Sequence, residues 1–136
     1  MSVSFYLKLY LLTIPVFFLV DMLWLGVIAR KFYRRNLHQF LADEVNWVAA
    51  FAFYFMYIVG ILFFATIPAL QSGTLQKAAF LGAAFGFFTY ATYDLTNMAT
   101  LNKWPLNVVV VDILWGTVLC AVVASGSYLI GRWLLS

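Results

Sequence analysis

A single cysteine, Cys120, and a single histidine, His38, remove several chemistries at once. One cysteine cannot close an intrachain disulfide or build a cysteine-based metal cluster, and it says nothing about redox compartment. One histidine in a loop leaves no basis for a histidine-built metal site. Charge is scarce too: 10% of residues are charged, against about 25% in soluble domains. What fills the chain instead is apolar, with 65% hydrophobic residues and a mean hydropathy of +0.96. The chain reads as an all-α integral membrane protein, a single domain over residues 1–136 with loops too short to hold a soluble module. No metal and no cofactor are expected.

The net charge of +3 does not point to nucleic acid. Its main source is Arg30, Lys31, Arg34 and Arg35, directly after the first apolar stretch, where a membrane protein carries its topology signal. The N-terminus, with Lys8 and a following apolar run, resembles a signal peptide. No small-residue cleavage pattern follows, so a retained helix is expected.

A transmembrane helix needs about 20 apolar residues. Four stretches qualify, at about residues 5–29, 47–70, 77–101 and 106–133. Pro15 should loosen or kink the first, Pro68 closes the second, and Pro105 sits where a helix start tolerates it. The last two linkers are short, so sequential helices should be antiparallel neighbours in a four-helix bundle. Counting Lys and Arg on either side favours a cytoplasmic location for the loops at 30–46 and 102–105, with both termini outside. In the first loop Tyr33, Leu37, Phe40 and Leu41 recur at helical spacing. They suggest a basic amphipathic helix lying on the inner leaflet or continuing the first span. Trp47, Trp104 and Trp133 stand at span ends, as interface anchors do.

Against this apolar background three aspartates lie at depth: Asp21, Asp94 and Asp112. A carboxylate in the hydrocarbon layer costs about 2.5–3.5 kcal/mol on insertion scales. Each lies nine residues from a basic boundary, Asp21 from Arg30 and the other two from Lys103. That is ~13 Å along a helix, close to the ~15 Å half-thickness of the hydrocarbon core, which places the three acids in one layer near the midplane. Val20-Asp21-Met22-Leu23-Trp24 recurs as Val111-Asp112-Ile113-Leu114-Trp115, with four of five residues identical. On antiparallel helices the two Asp-x-x-Trp motifs are related by an axis in the membrane plane, a relation familiar from transporters. Tyr90, Asp94 and Asn97 follow at i, i+4 and i+7, with Tyr93 and Thr96 beside them, and Tyr54 and Tyr57 could face the same interior. No lysine or arginine lies within the spans near these acids. They must be protonated, share protons, accept bonds from Trp, Tyr and Asn, or hold a cation. The candidate ligand- or proton-binding residues are therefore Asp21, Trp24, Tyr90, Tyr93, Asp94, Asn97, Asp112 and Trp115. Gly82 and Gly86, and Gly116, Cys120 and Ala124, form small-residue stripes that let helices approach closely.

The run Tyr93-Asp94-Leu95-Thr96-Asn97-Met98-Ala99-Thr100-Leu101, followed by Trp104-Pro105 and Asp112-Ile113-Leu114-Trp115-Gly116-Thr117, together with Asp21, Trp24, Leu25 and Gly26, resembles a family of small bacterial membrane proteins of unknown function. The resemblance implies four spans and a bacterial inner membrane; it implies no reaction. Three functions stay open. The first is a binding protein or carrier for a proton-coupled small molecule or lipid. The second is an intramembrane lipid-modifying enzyme using Asp94, Tyr90 and Asn97. The third is a scaffold subunit whose acids are structural. A cavity open sideways to lipid favours a lipid binder or enzyme, one open to water favours transport, and a dry interior favours a scaffold. Membrane lipids are the expected partners, nucleic acid is not, and four helices make so thin a wall that a carrier calls for a homodimer.

Overall fold

Ser2 starts the first helix by accepting the Phe5 amide on its hydroxyl at 3.1 Å, the usual way an N-terminal donor is satisfied. The computed structural model describes residues 1–136, and it is all-helical. Helix α1 spans Val3–Leu23 and continues as a wide, π-helical turn over Trp24–Ile28. A short helix α2 follows at Arg30–Leu37. Asn46 caps α3 (Trp47–Ile61) by accepting the Ala49 amide at 3.1 Å. A second wide turn, Leu62–Thr66, joins α3 to α4 (Ile67–Ser72). Gly73 ends α4 in the left-handed conformation, φ 76°, where a Cβ would be strained. Helices α5 (Leu75–Thr100) and α6 (Leu106–Leu135) complete the chain.

Neither proline inside a span stops it. The helix runs through Pro15, and the second span passes Pro68 and ends at Ser72 rather than closing at Leu70. The wide turn at Leu62–Thr66 lies directly before Pro68. It loosens the i→i−4 ladder where the ring would meet the preceding carbonyls.

Three segments are both long and apolar enough to cross a membrane: Val3–Ile28, Trp47–Ser72 and Leu106–Leu135. The stretch expected to be the third span, α5, has the length, 26 residues or ~39 Å, but lower hydropathy. Its polar residues are of two kinds. Some turn inward, as with Asp94. Others face out with the hydroxyl returned to their own backbone: Thr92 Oγ1 donates to Phe88 O at 2.6 Å and Thr100 Oγ1 to Thr96 O at 2.8 Å. Such back-bonding leaves no hydroxyl unsatisfied in an apolar medium. Around them Phe80, Phe88 and Leu95 are exposed, as Leu19, Val48 and Leu114 are on the other helices.

Helices α5 and α6 form the most extensive interface. The two small-residue stripes face each other there. A Cβ at Gly86 would overlap the Gly116 carbonyl, and one at Gly82 the Cys120 carbonyl. Around this seam one half of the bundle is filled with packed apolar side chains. Phe17, Ile58, Ile61, Leu119 and Val123 form one cluster, Leu9, Leu62, Ala69 and Tyr128 another. The buried hydroxyls of this half are met: Thr66 pairs with Ser127 at 2.6 Å, and Thr13 donates to Leu9 O at 2.7 Å. The other half, toward α2, is hollow.

Candidate functional site

The hollow is a cavity of about 480 Å³, within the size range of small-molecule sites. Asp21 and Leu25 enter it from the first span, Tyr33 and Leu37 from α2, and Phe53, Tyr54 and Tyr57 from α3. Opposite stand Thr89, Tyr90 and Tyr93 of α5, Trp104 of the last connection, and Val108, Asp112 and Trp115 of α6. No lysine, arginine or histidine borders it.

The two Asp-x-x-Trp segments meet across α1 and α6, each reaching toward the other's acid. Trp24 and Trp115 stack with ring centroids 4.5 Å apart and planes 9° from parallel. Trp115 Nε1 donates to Asp21 Oδ1 at 3.3 Å. The reciprocal link is relayed: Trp24 Nε1 donates to the Tyr33 hydroxyl at 3.2 Å, which donates to Asp112 Oδ1 at 2.8 Å. Burial, and then the neighbouring Asp112 carboxylate, hold the Tyr33 phenol far above its ordinary range, so it stays a donor.

Asp94 is in a different condition. It is fully buried, at 0% exposure, and neither carboxyl oxygen receives a hydrogen bond. Its carboxyl adjoins the Asp112 carboxyl and the Trp104 indole, and the Trp104 N–H is itself without a partner. Buried polar groups are nearly always satisfied, so an orphaned pair of oxygens calls for an explanation.

The cavity is walled unevenly. Tyr57 bridges α3 to α5, its hydroxyl 2.7 Å from Thr89 Oγ1 and 3.2 Å from Cys120 Sγ. From Tyr54 back to Trp47, α3 instead leans on α1, where Phe17 and Phe18 pack edge-on against Tyr54. No ring contact or hydrogen bond joins that part of α3 to α5, which packs on the later turns of the second span and on α6. Phe53 and Tyr93, on the two sides of that stretch, both line the cavity and are both exposed.

Of the residues singled out in the sequence, the structure brings Asp21, Tyr90, Tyr93, Asp112 and Trp115 to the cavity, with Asp94 against its wall. Trp24 lies behind, in contact with Trp115 and bordering a shallow apolar groove on the outside. Asn97 is half-buried outside the cavity and makes no side-chain hydrogen bond to Asp94. The three acids lie on the same side of their helix midpoints, about six to nine residues or ~9–13 Å toward the α2 end. Two residues belong here that the sequence did not offer. Trp104 is not an interface anchor: it is 8% exposed and turned inward, with Lys103 beside it in the left-handed conformation at φ 58°. Trp47 and Trp133 do stay exposed. Tyr33 sits on the helical face noticed in the loop, and that face meets α6 through Leu37, Val108 and Val109. Asn107 Nδ2 donates to Asn36 Oδ1 at 2.8 Å and fastens the same contact. The basic side chains of α2 point away and are exposed.

Together these features define an all-α membrane protein with an acidic, aromatic cavity at one end of its bundle. Residues 6–129 match the family described as "Predicted membrane protein (DUF2177)", and the chain belongs to that family. No curated protein and no solved structure matches it.

Proposed function

We propose that this is a four-span membrane protein whose cavity binds an amphiphile drawn sideways from the bilayer. The observation that carries the reading is the hollow itself: a half-enclosed, largely aromatic space that holds two carboxyls and whose lining residues Phe53 on α3 and Tyr93 on α5 are exposed. Head recognition falls to Asp21, Asp112 and the Tyr33 hydroxyl, while the tail leaves past Phe53 and Tyr93. A scaffold would have filled this half of the bundle as it filled the other, since unfilled space in a core costs stability. The test is occupancy. Native mass spectrometry of protein released from membranes in mild detergent should find one co-purifying amphiphile per chain. Leu25→Trp, which adds bulk inside the cavity, should abolish it while the protein still elutes as a folded species. An empty wild-type protein, or unchanged occupancy in Leu25→Trp, refutes the reading.

The same proposal sets α5 across the membrane, with its hydroxyls bonded to its own backbone and its phenylalanines outward. Both termini then lie on one side, and the exposed basic residues of α2 put the opposite side in the cytoplasm of a bacterial inner membrane. In a Cys120→Ser background, cysteines placed at Ser2 and Ser136 should both react with an impermeant maleimide in intact spheroplasts. Reaction at one terminus alone refutes four spans, and reaction at both only after lysis reverses the orientation.

A further inference from the structure

The chemistry of the cavity wall narrows the ligand. Two carboxyls, Asp21 and Asp112, line the cavity, and a third, Asp94, is buried beside Asp112. An ionised carboxylate offers about four acceptor positions, yet the three receive two hydrogen bonds in all, one from Trp115 and one from Tyr33. Asp94 receives none although fully buried. No basic side chain lines the space to balance them. An anionic head, a phosphate or a carboxylate, would be repelled there with no compensating donor. The remaining wall is largely aromatic. Tyr54, Tyr57, Tyr90, Tyr93, Trp104 and Trp115 come from four separate parts of the chain. The negative faces of such rings attract organic cations.

A metal ion fits poorly. Calcium needs six to eight oxygens converging at about 2.3–2.6 Å, and no three acidic, histidine or cysteine side chains converge in this way. An organic cation is different: its charge is spread over a bulky group that can touch several rings while lying near the carboxylates. We infer that the cavity takes a lipophilic organic cation, an amine or quaternary ammonium with apolar substituents, held by Asp21 and Asp112 inside an aromatic box, with the buried Asp94 carboxyl behind them.

The inference rests on the cavity being a ligand site and adds the sign of the ligand's charge. Two probes of matching shape and opposite charge read that sign: tetraphenylphosphonium and tetraphenylborate. Each is titrated calorimetrically into the purified full chain in non-ionic detergent. The phosphonium should bind saturably at one site per chain and the borate at least tenfold more weakly. Asp21→Asn and Asp112→Asn should each weaken the phosphonium at least tenfold, with elution volume and helical circular dichroism unchanged. Should one variant fail to fold, the other carries the comparison. Equal affinity for the two probes, indifference to both substitutions, or binding of neither overturns the cation assignment. The cavity reading is judged separately, by the co-purified amphiphile and its loss in Leu25→Trp.

Discussion

Gly86→Val should cost the bundle about 3 kcal/mol or more and leave little folded protein after detergent extraction. A Cβ at this position would overlap the carbonyl oxygen and carbon of Gly116 and press on Cys120 Cβ. Overpacking against side chains is relieved by rotamer changes, at about 1–3 kcal/mol. Here the obstacle is backbone in the middle of a 30-residue helix, so α5 and α6 must separate. Separation undoes the largest interface in the molecule. It also lifts Tyr90 off Gly116, where the ring lies so close that a Cβ at Gly116 would collide with it, and it widens the cavity. Gly26 supplies the control, since a Cβ there meets nothing within 4 Å. Gly26→Ala should be neutral or stabilise by up to about 1 kcal/mol, the usual helical preference. Thermal unfolding followed by intrinsic fluorescence measures both. Wild-type stability in Gly86→Val would show that the two helices do not meet there.

The small-residue stripes on α5 and α6 were legible because their reason is local: four-residue spacing puts small side chains on one face, and a close neighbour is the only use for such a face. The long helices were legible for a similar reason, since an apolar stretch of membrane length has few alternatives, and the all-α class followed. What escaped was set by chain reversals. Tyr33 and Leu37 advertise an apolar face, but its direction is fixed by the wide turn at Trp24–Ile28 and by Ala29, which leaves helical geometry at φ −108°, ψ 4°. Nothing in Trp24-Leu25-Gly26-Val27-Ile28 announces a π-helical turn, so a face that meets α6 looked like one meeting lipid. Trp104 was misplaced for a like reason: tryptophan near a span end usually anchors the interface, and the left-handed Lys103 beside it overrides that habit. Asn97 illustrates the opposite error. It shares the helical spacing of Tyr90 and Asp94, yet the cavity ends before its turn. Spacing defines a face but not how far along the face the partner extends.

Asp94→Leu should make the empty protein more stable and unable to bind the phosphonium. The side chain is fully buried, and neither oxygen accepts a hydrogen bond of good geometry, although the Trp104 N–H and the Asp112 carboxyl lie beside it. A buried polar group without a partner costs about 1–3 kcal/mol, and a charged one more unless it takes up a proton. Tyr90 and Asn97, its neighbours by spacing, donate nothing to it, so removing the carboxyl leaves neither without a partner. Leucine has a comparable shape and no polar atoms, and replacing an unmet polar group by an apolar one of similar volume is often stabilising. The expected gain is about 1–3 kcal/mol, read as a higher unfolding temperature in detergent without ligand. Asp94→Asn should gain less, since its amide is as poorly met as the acid. In ligand the order reverses: wild type should be stabilised by saturating phosphonium in proportion to the logarithm of its concentration, and neither variant should respond. A loss of stability in Asp94→Leu, with no difference in phosphonium response, would make Asp94 a structural part of the bundle. The reversal, if measured, ties the orphaned carboxyl to function: its cost in the empty protein is tolerated because a cation offsets it when bound.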